Sequence, residues 1–284
     1  MKIKHLTFVF LTGILLFSVA DLSAAIEVKN RDRIAFLGDN VTAKGNLEAG
    51  YISYVISALK DHGIHATKIP AGVAGNKASD MLARLQKDVL RHKPQILILN
   101  CGMNDATLGK RNQLEKFKKN VTGIVEKAQA AKVKVYILTA TMISENINHS
   151  SNRKLKPYND FLRKLAKEKN CVLIDLYNEM IQTQNKIKKV YPGIRGNILT
   201  IDGIHMNPLG DIMIANCILK ALGMTEEQLA KSYPTWIHRR YIIGDYAINL
   251  SVWDFLKLSE RAFAARTDVP NLVRQLVNRK LKEK

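Results

Sequence analysis

Ile34-Ala35-Phe36-Leu37-Gly38-Asp39-Asn40-Val41-Thr42 is the stretch on which the reading of this chain turns. Arg33 to Leu37 has strand character and stops abruptly at Gly-Asp-Asn, and a helical pattern resumes at about Gly50. The break therefore reads as a strand-to-helix turn. In an open parallel sheet the carboxyl ends of the strands face the ligand crevice, so Asp39, Asn40 and Thr42 are expected to project into it. The competing reading is an Asx-type turn, with Asp39 and Asn40 serving only local backbone donors.

Outward from this turn, strand and helix patterns alternate. Gly50 to Leu59 carries apolar residues at helical spacing, and Ala66 to Ile69 is a short strand. It leads into Pro70-Ala71-Gly72-Val73-Ala74-Gly75-Asn76, whose glycines permit positive φ and close backbone approach. Ser79-Asp80 falls in the first turn of the next helix, where an acidic residue suits the dipole. A glycine loop entering a helix can present N–H groups to an oxyanion or phosphate. This one lacks the spacing and lysine of a phosphate-binding P-loop.

Ile96 to Asn100 is almost wholly apolar, as a strand buried on both faces should be, and runs into Cys101-Gly102-Met103-Asn104-Asp105. That polar loop is expected on the same sheet edge as Asp39 and Asn40. Helix from Leu114 to Ala131, strand from Val133 to Ala140, helix from Pro157 to Lys169 and strand from Val172 to Asp175 continue the alternation of an α/β fold. Thr141 to Asn152 is a polar excursion long enough to form a substrate rim. Pro208 opens a helix to about Leu222.

Just before it, Asp202-Gly203-Ile204-His205 places a carboxylate where it can orient an imidazole and fix its tautomer for proton transfer. The alternative is a loop histidine held by local hydrogen bonds, since a two-residue gap has no unique use. Beyond Thr225 the alternation stops. Helical patterns return at Val252 to Arg266 and Leu272 to Leu281, no further strand is expected, and the tail reads as helices covering one face.

The chain has 284 residues, enough for one large domain with an appendage. Lys2, Lys4 and His5 precede an apolar run, Leu6 to Val19, and Ser23-Ala24-Ala25 follows, the pattern of a secretory leader cleaved after Ala25. Asp21 keeps the run short of the roughly 18 apolar residues that an uncleaved anchor needs. Cys101, Cys171 and Cys217 are far apart with no metal-like or redox-like spacing, so free thiols are expected. The histidines show no ligand spacing either, and neither a metal nor a cofactor is expected.

The net charge of +19 is spread along the chain, and lysines such as Lys116, Lys118 and Lys127 flank apolar helix positions as a solvated face would. Weak adhesion to anionic surfaces is compatible with it. Nucleic acid is not expected as a partner, because aromatic-basic interleaving and zinc spacing are lacking.

Taken together, the four loops resemble the SGNH, or GDSL-like, hydrolase family, over about Arg33 to Leu222. The resemblance implies a three-layer α/β/α fold with a flavodoxin-like five-stranded parallel sheet. With the leader at 1–25 and the tail read above, it divides the chain into a hydrolase-like domain at 26–223 and a helical extension at 224–284. In that family a Gly-Asp-Ser turn supplies the nucleophile, a glycine and an asparagine from the next two loops join the oxyanion hole, and an Asp-x-x-His completes the triad. Gly75, Asn104, Asp202 and His205 match these last four, and Asp39 and Thr42 match the residues flanking the nucleophile. No cofactor follows from the resemblance, and the implied ligand is a small-molecule or carbohydrate ester.

The departure is at the centre, because the nucleophile position is Asn40. A carboxamide nitrogen is delocalised and has no proton that His205 can readily remove, so acyl-enzyme chemistry is not expected there. Three outcomes follow. The site persists as a binding pocket for an acylated sugar or lipid. Alternatively, His205 and Asp202 activate a water with Gly75 and Asn104 as oxyanion hole, or Thr42 replaces the nucleophile.

Overall fold

The structure is a computed structural model that describes residues 26–109, 112–243 and 248–282. The leader assigned to residues 1–25 lies outside the described residues. Five parallel strands, β1 (Arg33–Gly38), β2 (Thr67–Gly72), β3 (Ile96–Asn100), β4 (Lys134–Leu138) and β5 (Val172–Ile174), form one sheet in the order β2-β1-β3-β4-β5. This is the expected three-layer α/β/α arrangement.

The apolar runs of β1, β3 and β4 follow from burial on both faces, since successive side chains of a strand point to opposite sides. Ile34, Phe36, Ile96, Ile98, Tyr136 and Leu138 enter one core layer, and their neighbours Ala35, Leu37, Leu97, Leu99, Val135 and Ile137 enter the other. The first layer is closed by α2 (Tyr51–Asp61), α7 (Leu176–Val190) and α8 (Pro208–Ala221). On the opposite face lie α3 (Ala78–Asp88), α5 (Gln113–Ala130) and α6 (Ser150–Glu168). Pro70 is tolerated in β2 because that strand is the sheet edge, where a missing N–H donor leaves no ladder bond unmade.

Four expectations are corrected. The turn after β1 is itself helical: α1 (Asn40–Gly45) begins at once, capped by the Asp39 side chain. The helix expected from Pro157 starts at Ser150, with Pro157 inside it. Its first turns are held by Asn152, whose buried amide accepts from the Ile143 N–H and donates to the Ile143 and Asn146 carbonyls. Of the expected rim, Thr141, Met142, Ile143 and Glu145 are buried, and only Ser144, Asn146, Ile147, Asn148 and Ser150 are exposed. A strand pair, β6 (Arg240–Ile243) and β7 (Ile248–Ser251), runs antiparallel where no strand was expected. Each is four residues long, too short for periodicity to declare it.

The tail comprises α9 (Glu226–Trp236), this strand pair, α10 (Val252–Ala264) and α11 (Val269–Lys282). Leu229, Trp236, Phe255 and Phe263 join the core layer under α8, so the tail covers that face as expected. Among the described residues no helix is long and apolar enough to cross a membrane. The three cysteines are free, Cys101 buried and Cys171 and Cys217 half-buried.

Candidate active site

The carboxyl ends of β1, β2 and β3 bring three of the expected residues together. Asn40 opens α1, Gly75 lies in the loop after β2, and Asn104 sits in the first turn of α4 (Met103–Leu108) after β3. Gly75 has φ +77°, a left-handed conformation that glycine adopts freely, and this aims its N–H at Asn40. The Gly75 N–H donates to Asn40 Oδ1 at 2.6 Å, and Asn104 Nδ2 reaches the same oxygen at 3.4 Å. Asn104 Nδ2 also donates to the Asn76 carbonyl at 3.0 Å. Two donors therefore converge on a carbonyl oxygen, and the oxygen belongs to the protein.

Asp39 and Thr42 do not point into a crevice. Asp39 is buried and accepts the Val41 N–H at 3.1 Å, so the local turn reading is the one that describes it. Burial pushes its carboxyl up to about 6, against the pull of that N–H. Thr42 is buried too, and its hydroxyl oxygen accepts the Tyr51 hydroxyl at 3.1 Å.

Asp202 and His205 form the expected pair. His205 Nδ1 lies 2.6 Å from Asp202 Oδ2, while Asp202 Oδ1 accepts the N–H groups of His205 at 2.8 Å and Ile204 at 3.0 Å. One carboxylate thus fixes both the imidazole and the backbone that carries it. Burial acts to raise the Asp202 carboxyl, but the His205 ring and these N–H groups outweigh it and hold it below its ordinary value. The other ring nitrogen, Nε2, has no hydrogen-bond partner among the described residues.

Two residues that the sequence did not announce position the site. Arg84 on α3 donates through Nη2 to the Gly38 and Ala71 carbonyls and through Nε to Asn76 Oδ1, tying the ends of β1 and β2 to the Gly75 loop. Glu145 is buried with φ +48°, and its Oε1 accepts from the Leu199 N–H, the Thr200 N–H and the Thr200 hydroxyl. Its Oε2 accepts from the Ile198 N–H and Gln184 Nε2. Ser144 N–H then donates to the Gly203 carbonyl at 2.7 Å. Glu145 and Ser144 of the segment expected to be a rim thus support the stretch that carries Asp202 and His205, while Ser144, Asn146, Ile147, Asn148 and Ser150 are exposed. The polarity of the segment was legible, but the burial of Glu145 had no sequence signal.

A cavity of about 440 Å³ opens between α1, Ile201 and Met206 on either side of the Asp202–His205 loop, and the tail, with Lys44, Glu48, Asp211 and Tyr241 also lining it. Tyr51 braces its two sides, giving its N–H to Asp211 Oδ1 at 3.0 Å as well as its hydroxyl to Thr42. Burial pushes Asp211 up to about 7. Among the described residues no group of three or more His, Cys, Asp or Glu side chains could hold a metal ion.

Comparison with known proteins fits this geometry. The profile of the GDSL-like lipase/acylhydrolase family matches residues 36–211. The solved acetyl xylan esterase AlAXEase is 32% identical, with a TM-score of 0.61 over 66% of this chain and 98% of that one. The acetylxylan esterase of Geobacillus stearothermophilus is 22% identical over 70% of this chain and 97% of its own length. An uncharacterised lipoprotein of Bacillus subtilis (strain 168) is 25% identical over 69% of this chain and 92% of its own.

Proposed function

The chain belongs to the GDSL-like lipase/acylhydrolase family, and from that premise we propose that it is an exported protein that binds a carbohydrate ester and hydrolyses it poorly or not at all. The observation that carries this reading is the occupancy of the Gly75 and Asn104 donors by the Asn40 carboxamide oxygen. An oxyanion hole accelerates acyl transfer by stabilising charge that develops on a substrate oxygen. Here a substrate carbonyl must compete with an internal one that is covalently tethered. Asn40 also offers no nucleophile.

An acetylated xylo-oligosaccharide is the ligand class to try first, because relatives that align along nearly their whole length are acetylxylan esterases. The cavity beside α1 has the few hundred Å³ that a small-molecule ligand needs, but Asn40, Gly75, Asn104, Asp202 and His205 are not among its lining residues, so it is a neighbouring pocket and not the ester site itself. Export is supported by the leader-like residues before Ile26 and by the similarity to a lipoprotein. The family match ends at residue 211, which supports reading 224–284 as an extension.

A second reading is favoured by one feature, the Asp202–His205 pair with Nε2 unbonded among the described residues. In it, His205 takes a proton from a water that attacks the ester directly, without a covalent intermediate. Isothermal titration with acetylated and deacetylated xylo-oligosaccharides, run beside an acetate-release assay, separates the two. Preference for the acetylated ligand with negligible release supports the binding protein. Steady release that disappears in His205→Ala supports the water-activating enzyme, and indifference to acetylation sinks both.

A further inference from the structure

Asn40 presents a carbonyl to the site in the manner of a substrate. Its Oδ1 takes the Gly75 N–H at 2.6 Å and Asn104 Nδ2 at 3.4 Å, the two donors placed to receive a developing oxyanion. The Asp202-oriented imidazole has its Nε2 free of protein partners among the described residues. Tyr51 bonds Thr42 on α1 and Asp211 on α8, tying the helix that Asn40 opens to the helix that follows the Asp202–His205 loop. We propose that the side-chain amide of Asn40 is itself a substrate of this site, hydrolysed by water to give aspartate at position 40.

The step balances without any other reactant. His205 Nε2 removes a proton from water, and the hydroxide adds to Asn40 Cγ while the carbonyl electrons move onto Oδ1 between Gly75 and Asn104. The tetrahedral adduct then collapses. The Cγ–Nδ2 bond breaks, nitrogen takes the proton from His205 and leaves as ammonia, and a carboxyl remains that ionises with ammonia as the final acceptor. The product is held better than the reactant, since a carboxylate accepts from the same two donors in charge-assisted hydrogen bonds. Tethering removes the need to bind the amide, so only the attacking water comes from solvent.

The ordinary route of asparagine deamidation is closed at this position. It requires the following backbone nitrogen to attack Cγ and form a cyclic imide, which opens to a mixture of aspartate and iso-aspartate. The Val41 N–H is instead engaged with Asp39 Oδ1 at 3.1 Å, and Asn40 is the first residue of a helix followed by a β-branched side chain. Conversion through the site yields aspartate alone. The inference uses the two donors and the imidazole, and it does not depend on any ester being bound.

The test is peptide mass mapping of the full chain held at neutral pH in heavy-oxygen water. The expected result is progressive exchange of amide for acid at Asn40, one labelled oxygen incorporated, no iso-aspartate, and release of one ammonia per chain converted. His205→Ala should slow it about a hundredfold, the usual range for loss of a general base, and Asn104→Ala about as much for loss of an oxyanion donor. Circular dichroism confirms that both variants fold, and their separate positions guard against one of them being a folding defect. An Asn40 that stays unlabelled over weeks, an equal rate in His205→Ala, or an iso-aspartate mixture would each overturn the proposal. None of these outcomes bears on whether acetylated sugars bind, so the two proposals fail separately.

Discussion

The Asn40 carboxamide oxygen accepts the Gly75 N–H at 2.6 Å, so the backbone donor that the proposed function assigns to a substrate carbonyl is already bonded. Serine at position 40 has a hydroxyl one bond from Cβ and carries no carbonyl to fill that position. Asn40→Ser should therefore both free the donors and supply a nucleophile to an imidazole that Asp202 already orients. On acetylated xylo-oligosaccharides or short aryl esters the expected gain is at least about tenfold in kcat/KM, which needs only about 1.4 kcal/mol of barrier. Equal turnover before and after the substitution would show that the donors of Gly75 and Asn104 are not the limiting feature.

The pH dependence of stability should carry the signature of Asp211. Its folded pKa, about 7, lies above the ordinary 3.8, so the native state holds this proton more tightly than the unfolded chain does. Stability from this group is greatest below pH 4 and is lost as pH rises from about 4 to 7. Asp211→Asn keeps an acceptor for the Tyr51 N–H but cannot ionise. It should leave stability at pH 4 nearly unchanged and raise it at pH 8 by at most about 4 kcal/mol, taking about 1.4 kcal/mol per pKa unit. Urea denaturation at the two pH values measures it, and a variant destabilised equally at both would refute the account.

Glu145 should matter more than its place in a loop suggests. Its two oxygens receive donors from Gln184, Ile198, Leu199 and Thr200, and the last three lead directly into the Asp202–His205 loop. Glu145→Gln turns one acceptor into a donor facing donors, a buried mismatch that costs about 1–3 kcal/mol. In the Asn40→Ser background it should also lower kcat, because the imidazole's supporting segment loosens. Thermal unfolding and esterase assay read the two effects. Loss of stability without loss of turnover would assign Glu145 to the core alone.

The sheet was legible because burial on both faces writes itself as unbroken apolar runs, and Ile96 to Leu99 needs no tertiary context to be read. The convergence of Gly75 and Asn104 was legible for a related reason: polar residues directly after such strands must share one sheet edge. The fates of Asp39 and Thr42 were not, since a capping carboxylate and a crevice carboxylate have the same sequence. Only the Val41 N–H and the Tyr51 hydroxyl, the second nine residues away in the chain, distinguish them. Glu145 lay further out of reach, because its donors come from positions 39 to 55 residues later. The β6–β7 pair escaped because two four-residue strands satisfy each other through backbone bonds that leave little pattern in the side chains.

The role of Asp202 is best tested by a substitution that keeps its shape. In Asp202→Asn the carboxamide oxygen can still accept the His205 and Ile204 N–H groups, now at 2.8 and 3.0 Å, so the loop should keep its fold and stability should change by about 1 kcal/mol or less. The amide nitrogen replaces Oδ2, 2.6 Å from His205 Nδ1, and sets a donor against a donor. The imidazole relieves this by moving its proton to Nε2, the atom that must be unprotonated to act as a base. In the Asn40→Ser background kcat should therefore fall by about 10⁴ with KM little altered, the pattern of a lost transition-state interaction. The chemical shifts of the His205 ring nitrogens report the tautomer directly. A double variant whose ring keeps its proton on Nδ1 and whose turnover is unchanged would remove Asp202 from the machinery and leave it a loop cap.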